Sequence, residues 1–280
     1  MLAGLAPPDA YGRAFGVERA GDNLGAVVGP LLASILVATV GLRSSFFFAL
    51  IPGTLAAASI SLAATRVRRL TTAVPVREQA RLELGGLRRA GLFRPLLPVA
   101  LFELGNITTL LILRTTQLLE DGGRSPPAAA SLAIVLYAGH NLTAAIVALA
   151  GGAWVDRRGP RLVFAAGAAA YVLAYGGFAF PIHHWPLLAG CFCLAGAGIG
   201  LAEPAESALV AQLLPDRLHG SGFGLLGGLQ SAGDFLSSAI VGLLYVAVAP
   251  AVGLAYAAAW MVLAVAATIW LRHRGARVAS

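Results

Sequence analysis

Two stretches of this chain leave little freedom in the choice of fold. Residues 162–202 contain no formally charged side chain, and residues 218–271 contain one, Asp234. A chain in water cannot hide so much apolar surface, so its solvent is lipid. Each run has room for two spans of ~20 residues. The breaks fall between Pro181 and Pro186 and at Ala249-Pro250, where proline ends a helix. Hydrophobic residues are 58% of the chain and charged ones 12%, against about a quarter charged in soluble domains. A strand barrel would need alternating segments of ~10 residues. These segments are unbroken and rich in Ala, Leu and Gly.

Eight transmembrane helices are expected, at about 14–40, 44–65, 93–118, 126–152, 161–181, 186–214, 219–248 and 250–272. The loops alternate in charge. Loop 66–92 carries Arg66, Arg68, Arg69, Arg77, Arg81, Arg88 and Arg89, and loop 153–161 carries Arg157, Arg158 and Arg161. Arg217, Arg272, Arg274 and Arg277 continue the same side, while Arg43 and Arg124 lie opposite. Arginine-rich short loops stay in the cytoplasm, which puts both termini there, in a bacterial inner membrane. The net charge of +7 is therefore a topology signal and not a nucleic-acid face. Loop 66–92, with Pro75, reads as a cytoplasmic basic connection. It would separate residues 1–65, two helices, from a six-helix bundle over 93–280.

Pro7, Gly12, Phe15, Gly16 and Gly25 recur 208 residues later as Pro215, Gly220, Phe223, Gly224 and Gly233. Each copy is a charged turn leading into a long apolar helix. A repeat of a membrane segment at this distance suggests two halves of several helices each. The expectation is one complete half preceded by the tail of another.

Two motifs add to the repeat. Gly152-Ala-Trp-Val-Asp156-Arg157-Arg158-Gly159-Pro160-Arg161 is a charged turn between two helices. Gly16, Gly25, Gly29-Pro30 and Ala33-Ser34 space small residues along the first helix. On these segments the chain resembles the major facilitator superfamily of secondary transporters. The turn is similar to that family's cytoplasmic loop motif, with Pro160 in place of its first closing basic residue. The glycine series resembles its fifth-helix antiporter motif, where the last pair is usually Gly-Gly. The resemblance implies an all-α membrane fold of that family's type, with eight helices equivalent to five to twelve of its usual twelve. It also implies that Asp156 sits near the start of the helix opening at Gly12–Gly16, with Arg19 as its partner. The alternative is a solvated turn whose arginines only set topology.

Independent of the resemblance, acids at membrane depth are costly and usually functional. Glu103 lies about ten residues into the third span, ~15 Å deep in a ~30 Å core. Glu206 lies at similar depth in the sixth span, with Glu203 one turn away on the same face and Pro204 between them. With Asp234 and Asn106 they form the set of proton or substrate candidates. The alternative for each is a structural acid held by hydrogen bonds. Asp22 can pair with Arg19, three residues away. His140 reads as a packing group, and Arg114 as snorkelling to the interface. Asn106-Ile-Thr108 matches a glycosylation acceptor, but inside a span it cannot serve. His183-His184 has no third ligand nearby, so no metal is expected, and no cofactor motif is found.

The expected function is secondary transport of a small molecule by alternating access, with lipid and protons as the other partners and export as the direction. A transport-incompetent fragment of such a protein is the rival reading. A membrane-embedded enzyme is a third, but no nucleophiles or metal ligands cluster at one depth.

Overall fold

A computed structural model describes residues 2–70 and 83–278. Among these, ten α-helices follow one another: α1 Tyr11–Val40, α2 Leu42–Leu70, α3 Leu84–Arg89, α4 Phe93–Glu103, α5 Thr108–Asp121, α6 Pro126–Arg158, α7 Pro160–Ala179, α8 Trp185–Leu213, α9 Asp216–Ala247 and α10 Pro250–Val278. Eight spans among the described residues are long and apolar enough to cross a membrane, α4 and α5 together making one of them.

Lipid leaves no water for exposed backbone groups, so each span pairs its own N–H and C=O groups as a helix. Proline and glycine place the boundaries. Pro126, Pro160 and Pro250 open α6, α7 and α10, where a missing N–H costs nothing. Gly41, Gly91, Gly123 and Gly159 take positive φ in the connections.

Two expectations change. The third span, expected as one helix, is two, because the chain leaves helical form between Glu103 and Thr108. The expected loop 66–92 is partly helical: α2 continues to Leu70, and α3 buries Leu87 before Leu92 is buried in turn. Pro75, Arg77 and Arg81 lie outside the described residues.

By contact the chain divides into two compact units, Met1–Leu24 with Leu82–Ser280, and Gly25–Arg81. The second holds the rest of α1 and α2, whose large side chains such as Phe46 and Phe47 point outward. The first unit is held by small residues. A Cβ on Gly196 would meet the His140 carbonyl oxygen at 2.3 Å, and one on Gly200 that of Ala144 at 2.6 Å, so α8 lies directly on α6. A Cβ on Gly167 would meet Gly198 O at 2.6 Å, which brings α7 onto the opposite side of α8. Close backbone approach of this kind replaces the hydrophobic effect, which lipid does not supply between helices. Phe102, Phe164, Tyr171 and Tyr175 fill the interior beside α8.

Candidate functional site

The break in the third span is the centre of the site. Leu104, Gly105, Asn106 and Ile107 interrupt the helix just after Glu103. Freed backbone groups at this depth need partners, and neighbouring helices supply them. The Tyr175 hydroxyl of α7 accepts from Ile107 N–H at 3.2 Å and donates to the Gly105 carbonyl at 2.9 Å. Ser237 of α9 donates to the Asn106 carbonyl at 2.5 Å. Gly233 makes room for this: a Cβ there would fall 2.3 Å from Glu103 Cβ. The break is thus a built feature.

It gathers the acids. Asn106 Nδ2 donates to Glu103 Oε2 at 3.4 Å and to Asp234 Oδ1 at 3.2 Å, so its two hydrogens tie α4 to α9 through two carboxylates. Glu103 is buried and Asp234 exposed. On α8, Glu206 is 1% exposed and accepts from Gln230 Nε2 of α9 at 2.8 Å. Glu203, one turn away, faces Arg19 of α1, whose Nε is 3.9 Å from its carboxylate. Glu103, Glu203, Glu206, Asp234 and Arg19 all lie within electrostatic reach of Glu103 or Glu206. Among the described residues Arg19 is the one cation that acts on Glu103, Glu203 and Glu206, and its ion pairs are with Glu203 and Asp22.

The turn motif forms a second contact. Asp156, at the end of α6, accepts from Gly12 N–H at 2.7 Å and Arg13 N–H at 3.1 Å, two of the four donors a helix start leaves unpaired. Arg13 Nε adds a charge-assisted bond at 3.0 Å. An anion at this end of the helix dipole contributes roughly 0.3–2 kcal/mol. Glycine allows the approach: a Cβ on Gly12 would meet Gly152 O at 2.3 Å, and one on Gly16 would meet Ala148 O at 2.5 Å. The partner of Asp156 is Arg13 and not Arg19. Arg13 sits in the first turn beside the carboxylate, whereas Arg19 lies almost two turns deeper, 3.6 Å from Asp22 and facing Glu203. Gly159, with φ of 82°, turns the chain from α6 to α7, and Arg157 is exposed beside it. Pro30 lies inside α1.

Phe15 and its repeat mate Phe223 touch, with ring centroids 5.6 Å apart. Contact between equivalent residues is what a two-fold relation produces at its axis.

Other polar residues settle into packing. His140 Nδ1 lies 3.3 Å from the Phe192 carbonyl, and the ring stacks on Tyr137. Arg114 Nε donates to the Phe178 carbonyl, near the end of α7, at 3.2 Å. Among the described residues no group of three His, Cys, Asp or Glu could hold a metal ion. Tyr175, Ser237, Gln230 and Arg13 were not singled out from sequence. Signals existed for two of them: Gln230 and Ser237 flank Asp234 at helical spacing, four before and three after.

The sequence matches the profile of the Major Facilitator Superfamily over residues 1–122 and 90–279. The chain belongs to that family, and with its eight apolar helices it is an integral membrane protein. It is 37% identical over 107 residues to the Methylenomycin A resistance protein of Bacillus subtilis (strain 168), covering 38% of this chain and 23% of that one. Its fold is similar to the crystal structure of a bacterial homologue of the iron transporter ferroportin in an outward-facing state. The TM-score is 0.66 and the identity 18%, over 95% of this chain and 65% of the other. The chain thus spans less than two thirds of the length of either relative.

Proposed function

We propose that this chain serves proton-coupled export of a small molecule by alternating access, with the acids around the α4–α5 break as the exchanging groups. The observation that carries the reading is the charge imbalance: Glu103, Glu203, Glu206 and Asp234 against Arg19, at membrane depth. Like charges in a low dielectric are costly unless paired or neutralised. Such a cluster balances its charge by taking up protons or a cationic group, and exchange of one for the other is antiport. The break supports this because non-helical backbone at depth marks binding sites in transporters.

Export as the direction is supported by the antiporter-like glycine series of α1 and by the likeness to a resistance protein. In this reading Asp156 latches α6 to the start of α1 in one state of the cycle and releases it in the other. Arg19–Glu203 is a second ion pair between α1 and α8 that proton uptake by Glu203 would weaken. The proposed site lies in the bacterial plasma membrane, with the arginine-rich loops in the cytoplasm.

The test uses everted membrane vesicles containing the protein and an imposed acid interior. Adding an amphipathic cation such as ethidium should collapse the gradient, and Glu206→Gln should abolish the collapse. A gradient that ethidium leaves untouched, or full coupling in Glu206→Gln, would count against the reading.

A further inference from the structure

Glu206 has one carboxylate oxygen, Oε2, on Gln230, while its Oε1 is buried with no protein partner. A buried acceptor left open is costly, and one in a native interior calls for an explanation. A small cavity of about 10 Å³ adjoins it, walled by Pro98 of α4, Arg161 and Phe164 of α7, Ala205 and Leu209 of α8, and Thr268 of α10, with Glu206 itself in the wall. That is close to the least volume a water needs, and a water also needs polar partners. Glu206, the Thr268 hydroxyl and Arg161 are polar groups in this wall. Thr268 spends its own proton on the Ala264 carbonyl, so its lone pairs remain to accept.

A larger cavity of about 270 Å³ opens at the arginine-bearing end of the same helices, lined by Arg158, Gly159, Gln212 and Leu213. The two cavities share Pro160, Arg161 and Leu209 as walls. Glu206 is seven residues from the end of α8, ~10 Å along the axis. The partition is therefore short. Neither cavity is lined by Gln230, which holds the other carboxylate oxygen of Glu206 from α9.

We infer that Glu206 exchanges its proton with the arginine-rich membrane face through water in this lateral passage between α4, α7, α8 and α10, and not from the side of α9, where Gln230 holds Oε2. In the inward step a hydronium in the outer cavity gives up a proton along the water, an O–H bond forms on Glu206 Oε1, and water is left behind. Release is the reverse, so charge and atoms balance. The charged groups facing Glu206 are Arg19 of α1, Glu103 of α4, Arg161 of α7 and Glu203 of α8, with neutral Gln230 on α9. Substrate at the α4–α5 break could then leave the proton route unobstructed, which separates the two exchanging species in space.

The inference rests on reading Glu206 as a proton-carrying acid, and its test separates the two. Infrared difference spectra of the purified chain in lipid, taken from acid to neutral pH, would contain a carboxylic band that Glu206→Gln removes. Transfer to heavy water then times its exchange. Ala205→Val fills the cavity, and Thr268→Val keeps its shape but removes the hydroxyl. Both should slow the exchange by about tenfold or more, a barrier rise of ~1.4 kcal/mol. Exchange at the original rate in both cavity variants would overturn the route while leaving Glu206 as an acid that titrates. Absence of any Glu206-dependent band would overturn both.

Discussion

The third span and α8 meet the same demand, acids held at membrane depth, in opposite ways. Pro204 sits between Glu203 and Glu206 and removes a backbone bond, yet α8 runs unbroken from Trp185 to Leu213. The third span has no proline beside Glu103, yet it breaks over Leu104–Ile107. What differs is the neighbourhood. The freed groups of the third span meet Tyr175 and Ser237. α8 is clamped along its length by α6 and α7 through Gly196, Gly198 and Gly200, leaving its backbone little room to depart from a helix. A helix breaks in a membrane where side chains wait to receive its backbone, and local propensity decides less.

Substitutions can break or sharpen that contrast, with stability read from thermal unfolding in detergent. The largest effect is expected from Tyr175→Phe. It orphans both the Ile107 N–H and the Gly105 carbonyl, each worth ~1–3 kcal/mol, so the loss should be roughly 2–6 kcal/mol. An unchanged melting curve would mean the break does not depend on Tyr175. Next is Gly233→Ala, whose new methyl would fall 2.3 Å from Glu103 Cβ. Overpacking of this kind costs ~1–3 kcal/mol. On the same helix Gly228→Ala, which faces open space, should be neutral or gain up to ~1 kcal/mol. Equal effects at the two glycines would refute the close α9 contact.

Asp156→Asn keeps the shape of the α6–α1 contact and removes its charge. A loss of ~1 kcal/mol is expected, suppressed in Arg13→Gln by virtue of the shared bond and additive with Arg19→Gln. A coupling to Arg19 in place of Arg13 would restore the pairing first expected from sequence. The smallest effect belongs to Pro204→Ala. Since α8 is already continuous, at most one backbone bond returns, a change under ~1.5 kcal/mol. A larger shift would show that Pro204 bends α8 in a way its contacts depend on.

Much of this was legible in the chain. Charge-free runs and proline boundaries marked the spans because lipid admits few backbone solutions. Glu103, Glu206 and Asp234 stood out because charge is rare there. The break was less visible. Gly105-Asn106 is a turn signal, but in an apolar run it read as a segment of helix, with Asn106 as a polar candidate inside it. Tyr175 and Ser237 could not be assigned, because their role depends on which helices pack together and at what height. Arg13 was passed over for Arg19 because depth along a helix, more than helix identity, selects an ion-pair partner. Gly16 illustrates the same limit: spacing marks it as a packing position, and only the fold shows that it meets Ala148 at close range.

The central claim is that the acids around the α4–α5 break exchange protons for substrate. Purified protein in weakly buffered detergent, mixed with the amphipathic cation ethidium beside a pH-indicator dye, reads this directly. Protons should be released on binding, and Glu103→Gln should bind the same compound with release reduced or absent. Binding with no proton release in the unaltered protein, or undiminished release in Glu103→Gln, would contradict it.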